Sequence, residues 1–188
     1  MVEMASRTLP LSGFFGGSAS VRLEAAPAAE RISLRARSED VPGLSSALGL
    51  ELPVRAKTSA SANGRTALWL GPDEWLVFGD VGGGLLNALV GTSALHSATD
   101  VSHRNTAILV SGPGAAEAIN GGCPQDLSLK AFPVGACSRT LFGKVEIVLL
   151  RTAEDAFRVE VWRSFSDYAF GLLAEAARDA GPSGSSIA

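Results

Sequence analysis

The sequence predicts an α+β fold of two fused split β-α-β lobes, each with its helices on one face of a mainly antiparallel sheet. Three observations predict it. A strand, helix, hairpin, helix, strand order runs from Arg31 to Val101, and a similar order recurs from Arg104 onward without a sequence repeat. Apolar residues switch between period two and helical spacing along both halves. The 188 residues can bury roughly 70% of the unfolded chain's surface, so a compact core needs no metal or disulfide staple.

The first 20 residues are Gly/Ser-rich around Phe14 and Phe15 and carry no periodicity, which predicts a flexible N-terminal arm. Its aromatic residues either anchor it on a neighbouring surface or pack back on their own domain. In RISLRAR, Ile32, Leu34 and Ala36 alternate with Arg31, Ser33, Arg35 and Arg37, the pattern of a half-buried strand. Asp40-Val41-Pro42 then supplies a cap and an early proline, and Leu44, Ala47 and Leu48 fall at helical spacing before Gly49. Thr66 to Leu70 and Trp75 to Phe78 form a hairpin across Gly71-Pro72-Asp73-Glu74. Leu85, Leu86 and Leu89 make a short helix stopped at Gly91, and Leu95 to Val101 completes the first lobe.

The second lobe starts with a strand from Arg104 to Val110 and a helix from Pro113 to Ile119, with proline in the first helical position. Strands follow near Ser138 to Phe142, Val145 to Leu150 and Phe157 to Trp162. Ser166 is positioned to cap the last helix, with Phe165 and Phe170 as a hydrophobic staple, Tyr168, Leu172, Leu173 and Ala176 as its buried stripe, and Gly181-Pro182 as its end. The expected organisation is thus an arm over residues 1–20, one domain over 21–182 with lobes at about 21–102 and 103–182, and a disordered tail over 183–188. The lobes are ferredoxin-like in element order.

A net charge of −3 argues against a nucleic-acid surface, which needs clustered positive charge. Charged residues make up only 19% of the chain, below the roughly 25% usual for soluble domains. Either some apolar surface serves a partner, or the abundant alanine and glycine account for the figure. The N-terminus lacks the basic start and continuous apolar core of an export signal, so a cytoplasmic location is expected. Val81 to Thr99 is the longest uncharged run, but its glycines and polar residues read as helix, turn and strand, and no membrane association is expected. Cys123 and Cys137 lack the paired spacing of zinc ligands and are expected to be buried or free thiols.

Reactive constellations are sparse. Ser111-Gly112-Pro113-Gly114 can offer backbone N–H groups to an anion, although tight helix–sheet packing explains the same residues. GDVGGG at 79–84 lacks nucleotide-binding glycine spacing. Ser102 and His103 are adjacent, which points them to opposite faces of a strand, and His96 reads as structural. Glu154-Asp155 and Asp73-Glu74 suit solvated turns, while Glu146 and Glu160 read as a sheet surface salted with Arg151 and Arg158. No catalytic, cofactor-binding or metal residue is assigned. Arginine outnumbers lysine, and Arg and Trp are the side chains that most often anchor interfaces. Phe14, Phe15, Arg104, Trp162 and Arg163 are therefore the candidate partner-facing residues.

Three segments, DVSHRNTAILVSGPG at 100–114, GCPQDLSLKAFPVG at 122–135 and FRVEVWRSFSDY at 157–168, with RTALWLGPDEWLVFGD at 65–80, resemble the gamma-subunit family of heterotetrameric sarcosine oxidases. DVSH and VSGPG extend that resemblance to the aminomethyltransferase-like folate-binding superfamily and imply a folate-binding-domain-like version of the fold. In the aminomethyltransferase relatives an acidic Gly-Gly-x-x-Asp-Asp stretch serves folate. Here Leu141-Phe142-Gly143-Lys144-Val145-Glu146 stands in its place, with only Glu146 acidic. The resemblance implies a non-catalytic accessory chain with alpha, beta and delta partner subunits. Those partners would carry FAD, FMN, NAD and tetrahydrofolate and demethylate sarcosine oxidatively to glycine. A free-standing folate-binding or one-carbon transfer protein is the alternative.

Overall fold

The computed structural model describes residues 10–180. The chain opens with β1 (Phe15–Gly17), β2 (Arg22–Ala25) and β3 (Ala29–Ala36), then runs through α1 (Val41–Leu48), β4 (Ser59–Ala62), β5 (Arg65–Gly71), β6 (Glu74–Asp80), α2 (Leu85–Leu89) and β7 (His96–Asp100). The second half comprises β8 (Asn105–Ser111), α3 (Ala115–Asn120), β9 (Cys137–Phe142), β10 (Val145–Ala153), β11 (Ala156–Trp162) and α4 (Ser166–Asp179).

These strands form two sheets of ordered pairs, β4-β5-β6-β3-β7 and β1-β2-β8-β11-β10-β9, with every pairing antiparallel. In the first, the hairpin strand β6 is inserted between β3 and β5, the arrangement of a split β-α-β unit. The second sheet repeats it with β8, β10 and β11 in the corresponding places.

Strand alternation divides the interior into three cores. Ile32 and Leu34 on β3 and Trp75 and Val77 on β6 face α1 and α2, joined by Leu44, Leu48 and Leu85. Ile147, Leu149, Phe157, Val159 and Val161 face α3 and α4, joined by Ala115, Ile119, Phe170 and Leu173. The opposite faces meet each other through Leu68 and Leu76 from one sheet and Cys137, Val148 and Leu150 from the other. The result is a helix, sheet, sheet, helix stack, so both faces of each sheet are covered.

Several details depart from the sequence-based expectation. The stretch expected as an arm contains β1, and β2 pairs with β8, Arg22 opposite Ser111. The chain up to Ala25 thus completes the second sheet, because β8 would otherwise be left as an unpaired edge. Residues 1–9, the Gly181-Pro182 stop and the tail at 183–188 lie outside the described residues. β4 was not expected, since Ser59-Ala60-Ser61-Ala62 has no large apolar residue; its turn, Asn63-Gly64, has both φ angles positive, the geometry of a two-residue hairpin.

α3 starts at Ala115, with Pro113 in the preceding turn rather than in the first helical position. Ser166 does not cap α4 either; its hydroxyl donates to the Arg163 carbonyl at 2.9 Å, and a 3-10 turn at Arg163–Phe165 leads into the helix. The buried stripe of α4 is Ala169, Phe170, Leu173 and Ala177, rotated from the expected set. Small alanines on that face let the helix approach the sheet closely, leaving Tyr168 exposed and Leu172 at the flank. Phe165 is exposed, and the partner of Phe170 is Phe14, edge-on at 5.3 Å, rather than a staple residue.

Candidate functional site

The strongest electrostatic feature lies between the two sheets. Arg31 on β3 and Glu160 on β11 are 3% and 1% exposed, and their side chains form a two-point ion pair, Nε to Oε2 at 2.8 Å and Nη2 to Oε1 at 3.2 Å. Arg158 donates from Nε to the same Oε1 at 2.8 Å. Its Nη2 also lies 2.7 Å from that oxygen but is not aligned to donate to it. The Arg158 guanidinium sits 4.4 Å from the centre of the Phe78 ring on the facing sheet. Two arginines therefore share one buried carboxylate.

Sequence reasoning placed Glu160 and Arg158 on a solvated sheet surface with Glu146 and Arg151, and Arg31 on the wet side of a half-buried strand. Stacking of the sheets covers that side and brings opposite charges on β3 and β11 together. Arg151 is buried on the other face, donating to the carbonyls of Leu127 at 2.8 Å and Phe132 at 2.7 Å, and burial lowers its pKa. It ties down the long loop before β9. Only Glu146 of the expected group remains open to solvent, within 4.0 Å of Arg139.

The Asp100–Asn105 turn joins the lobes. Hydrogen bonds from the Ser102 hydroxyl and N–H hold the Asp100 pKa below its ordinary value, and the N–H contact measures 2.8 Å. Ser102 Oγ accepts from the Arg31 N–H at 2.9 Å and donates to the Arg31 carbonyl at 3.3 Å, so this hydroxyl ties the lobe junction together. His96 contacts the Ala94 carbonyl through Nδ1 at 2.8 Å, in keeping with a structural role. Beside the turn is a cavity of about 360 Å³, lined by Ala26, Pro27, Val81, Asp100, His103 and Arg163.

The Ser111–Gly114 step is also committed. Gly112 N–H donates to Asp155 O and Gly114 N–H to Ser20 O, at 2.9 and 3.0 Å. These donors anchor neighbouring chain segments instead of facing an anion. Similarly, Leu85 N–H behind the GDVGGG run donates to Glu30 Oε2 at 3.2 Å. Cys123 and Cys137 are both free and buried, and desolvation pushes the Cys137 pKa up to about 11.

Three of the five candidate partner-facing residues come together. The Arg104 guanidinium lies 5.3 Å from the Trp162 ring centre, and Trp162 stacks on Phe165 with ring centres 6.1 Å apart. Arg163 N–H donates to Arg104 O at 2.7 Å, fixing the turn beneath the stack. Trp162 and Phe165 are 42% and 41% exposed. Phe14 and Phe15 lie elsewhere, at the β1 edge, where Phe14 packs on Phe170 and Phe15 points outward. Phe165 was missed as a surface residue because its spacing to Phe170 suited a helix staple. Arg104, Trp162 and Phe165 thus form one cation–aromatic cluster at the surface.

Residues 38–179 match the model of the "Sarcosine oxidase, gamma subunit family". The chain is 29% identical to the sarcosine oxidase subunit gamma of Corynebacterium sp. strain U-96, covering 85% of this chain and 80% of that protein. It is 32% identical to the corresponding subunit of an Arthrobacter species, covering 71% and 67%. A chain of the heterotetrameric sarcosine oxidase from Corynebacterium sp. U-96, solved with pyrrole 2-carboxylate, superposes with a TM-score of 0.81 at 27% identity, over 92% of this chain and 91% of that one. Half of the glycine cleavage system aminomethyltransferase T of Bartonella henselae shares the fold, with a TM-score of 0.60 at 16% identity over 86% of this chain. The chain belongs to the sarcosine oxidase gamma subunit family.

Proposed function

We propose that this chain acts as the non-catalytic gamma subunit of a heterotetrameric sarcosine oxidase, stabilising its alpha, beta and delta partner subunits in the cytoplasm. The reading is carried by the near full-length superposition, in both directions, on one chain of such an oxidase. Its physical basis is mass action: a surface that binds only the assembled state of its partners shifts them toward that state. Phe14, Phe15, Arg104, Trp162 and Arg163 are the side chains proposed to face those partners.

FAD, FMN, NAD and tetrahydrofolate belong, on this proposal, to the larger subunits, which oxidise the N-methyl group of sarcosine and release glycine. The residues of this chain do not suit folate at the position used by aminomethyltransferase relatives. Glu146, the acidic residue retained there, is held near Arg139 and borders a cleft of about 40 Å³. Small-molecule sites are usually about 300 Å³ or larger.

Co-expression with the larger subunits tests the proposal. The chain is expected to co-purify with them and raise the yield of active flavoenzyme; normal assembly and turnover without it would overturn the assignment. Titration of the isolated chain with tetrahydrofolate separates the alternative, since only a free-standing folate protein would saturate without partners.

A further inference from the structure

At one end of the six-stranded sheet, the face turned toward the other sheet opens to solvent. Val148, Leu150, Arg158 and Glu160 lie on the face that meets the other sheet, where Val148, Leu150 and Glu160 are buried and Arg158 is nearly so. One step further along that face the pattern changes. Asn105 pairs with Trp162, the next pair inward between β10 and β11 is Ile147 with Val161, and Glu146 pairs with Leu141. Because Val161, Ile147 and Phe142 point into the helix-covered core, Trp162, Glu146 and Leu141 project from the opposite side. They form one cross-strand row, in which Trp162 is 42% and Leu141 53% exposed. Phe165 extends the apolar surface by stacking on Trp162.

The charges on this platform are unequal. Arg139 is bonded to Glu74 across the sheets and lies near Glu146. Arg104, placed over Trp162, donates Nε to Asn105 Oδ1 at 3.2 Å and has no carboxylate within ion-pair distance among the described residues. A planar guanidinium fixed against a ring retains outward donors suited to a carboxylate, with little side-chain freedom left to lose. Large rigid aromatic area beside it supplies the desolvated centre that interface anchors need.

We propose that this exposed end of the sheet is a docking platform for an acidic segment of one of the larger subunits. That segment seats a carboxylate on Arg104 and an apolar side chain on the Trp162 and Phe165 surface. The inference rests on the accessory-subunit reading and adds the chemistry of the partner to it.

Binding of the purified chain to its purified larger subunits, measured at two salt concentrations, tests the platform. Wild type is expected to bind more weakly as salt rises, because a partly exposed ion pair is screened. Arg104→Gln should lower affinity roughly tenfold and flatten that salt dependence, while Trp162→Ala should lower affinity at least as much. Arg104→Lys should recover the salt dependence but not the full affinity. Circular dichroism and the melting temperature of each variant identify loss of fold, and the exposed Arg104 substitutions keep the test usable if Trp162→Ala misfolds. Binding within twofold of wild type by Arg104→Gln and a folded Trp162→Ala would overturn the platform alone. Failure of the wild-type chain to bind would overturn the accessory reading, and a second copy of this chain as the sole occupant would overturn the assigned partner.

Discussion

The two sheets share a strand order but obtain their last strand differently. In the five-stranded sheet β3 through β7 come from one continuous stretch, and β7 closes against β3 with Ile32 opposite Asp100. In the six-stranded sheet the corresponding place beside β8 is taken by β2, from the beginning of the chain, and β1 adds a further strand outside it. The first lobe therefore closes on its own sequence, whereas the second depends on contacts that span most of the described chain. Distant closure costs more chain entropy before any contact compensates it.

Removing residues 1–25 should break this comparison most severely. The deletion takes away β1 and β2, leaves β8 paired only to β11 with its other edge open, and removes Val21 and Leu23 from the core shared with α3 and α4. We expect near-ultraviolet circular dichroism from Trp162 and Tyr168 to collapse while Trp75, in the first lobe, stays protected from fluorescence quenchers. Equal loss in both lobes would mean that they fold as one cooperative unit.

Glu160→Gln tests what joins the lobes. It leaves Arg31 and Arg158 without their shared anion, and breaking a buried pair in this way costs about 3–5 kcal/mol. Urea unfolding should register that loss as a lower midpoint. A change below about 1 kcal/mol would place the binding energy between the sheets in their apolar contacts instead.

Gly112→Ala addresses the second lobe's borrowed strand more gently. Gly112 has φ of +114°, and an added Cβ would clash with the Ser20 carbonyl just before β2. A cost of about 1–3 kcal/mol is expected from the strained backbone, with faster hydrogen exchange at Leu23 than at Leu34. Unchanged exchange at Leu23 would show that β2 docks independently of this turn.

The smallest effect concerns the core where the sheets meet. Cys137 ionises at about 11 in the fold, against an ordinary 9.0, because burial disfavours the thiolate. Its folded pKa is raised, so its contribution is present below the ordinary value and is lost as pH rises through the interval toward the folded one. The loss should be just under about 1 kcal/mol near about pH 9.5, and Cys137→Ser should flatten that part of the stability profile. An unchanged profile would exclude thiol ionisation as its cause.

What the sequence reveals follows the distinction between local and tertiary information. Alternating Ile32, Leu34 and Ala36 and the proline-bearing start of α1 carry their structure in their own spacing, so those elements could be anticipated. β1 and β4 could not be, because Phe-Gly-Gly and Ser-Ala-Ser-Ala have little apolar pattern and depend on a neighbouring strand. The Arg31–Glu160 pair was hidden for a stronger reason: each residue looks solvent-facing until two sheets stack. Arg104, Trp162 and Arg163 could be singled out by residue type alone, whereas Phe165 and Leu141 became part of the same surface only once β9 to β11 were in register.

The borrowed strand also bears on synthesis of the chain. β2 leaves the ribosome early, but Ser111, the partner of Arg22, follows almost ninety residues later, several seconds at roughly 5–20 residues per second. During that interval the nascent first lobe can already close, while Leu23 and its neighbours remain without their mate. A bulky fusion ahead of β2 would thus interfere at the moment the late-made half tries to retrieve its earliest segment, which makes the C-terminus the safer end for a purification handle.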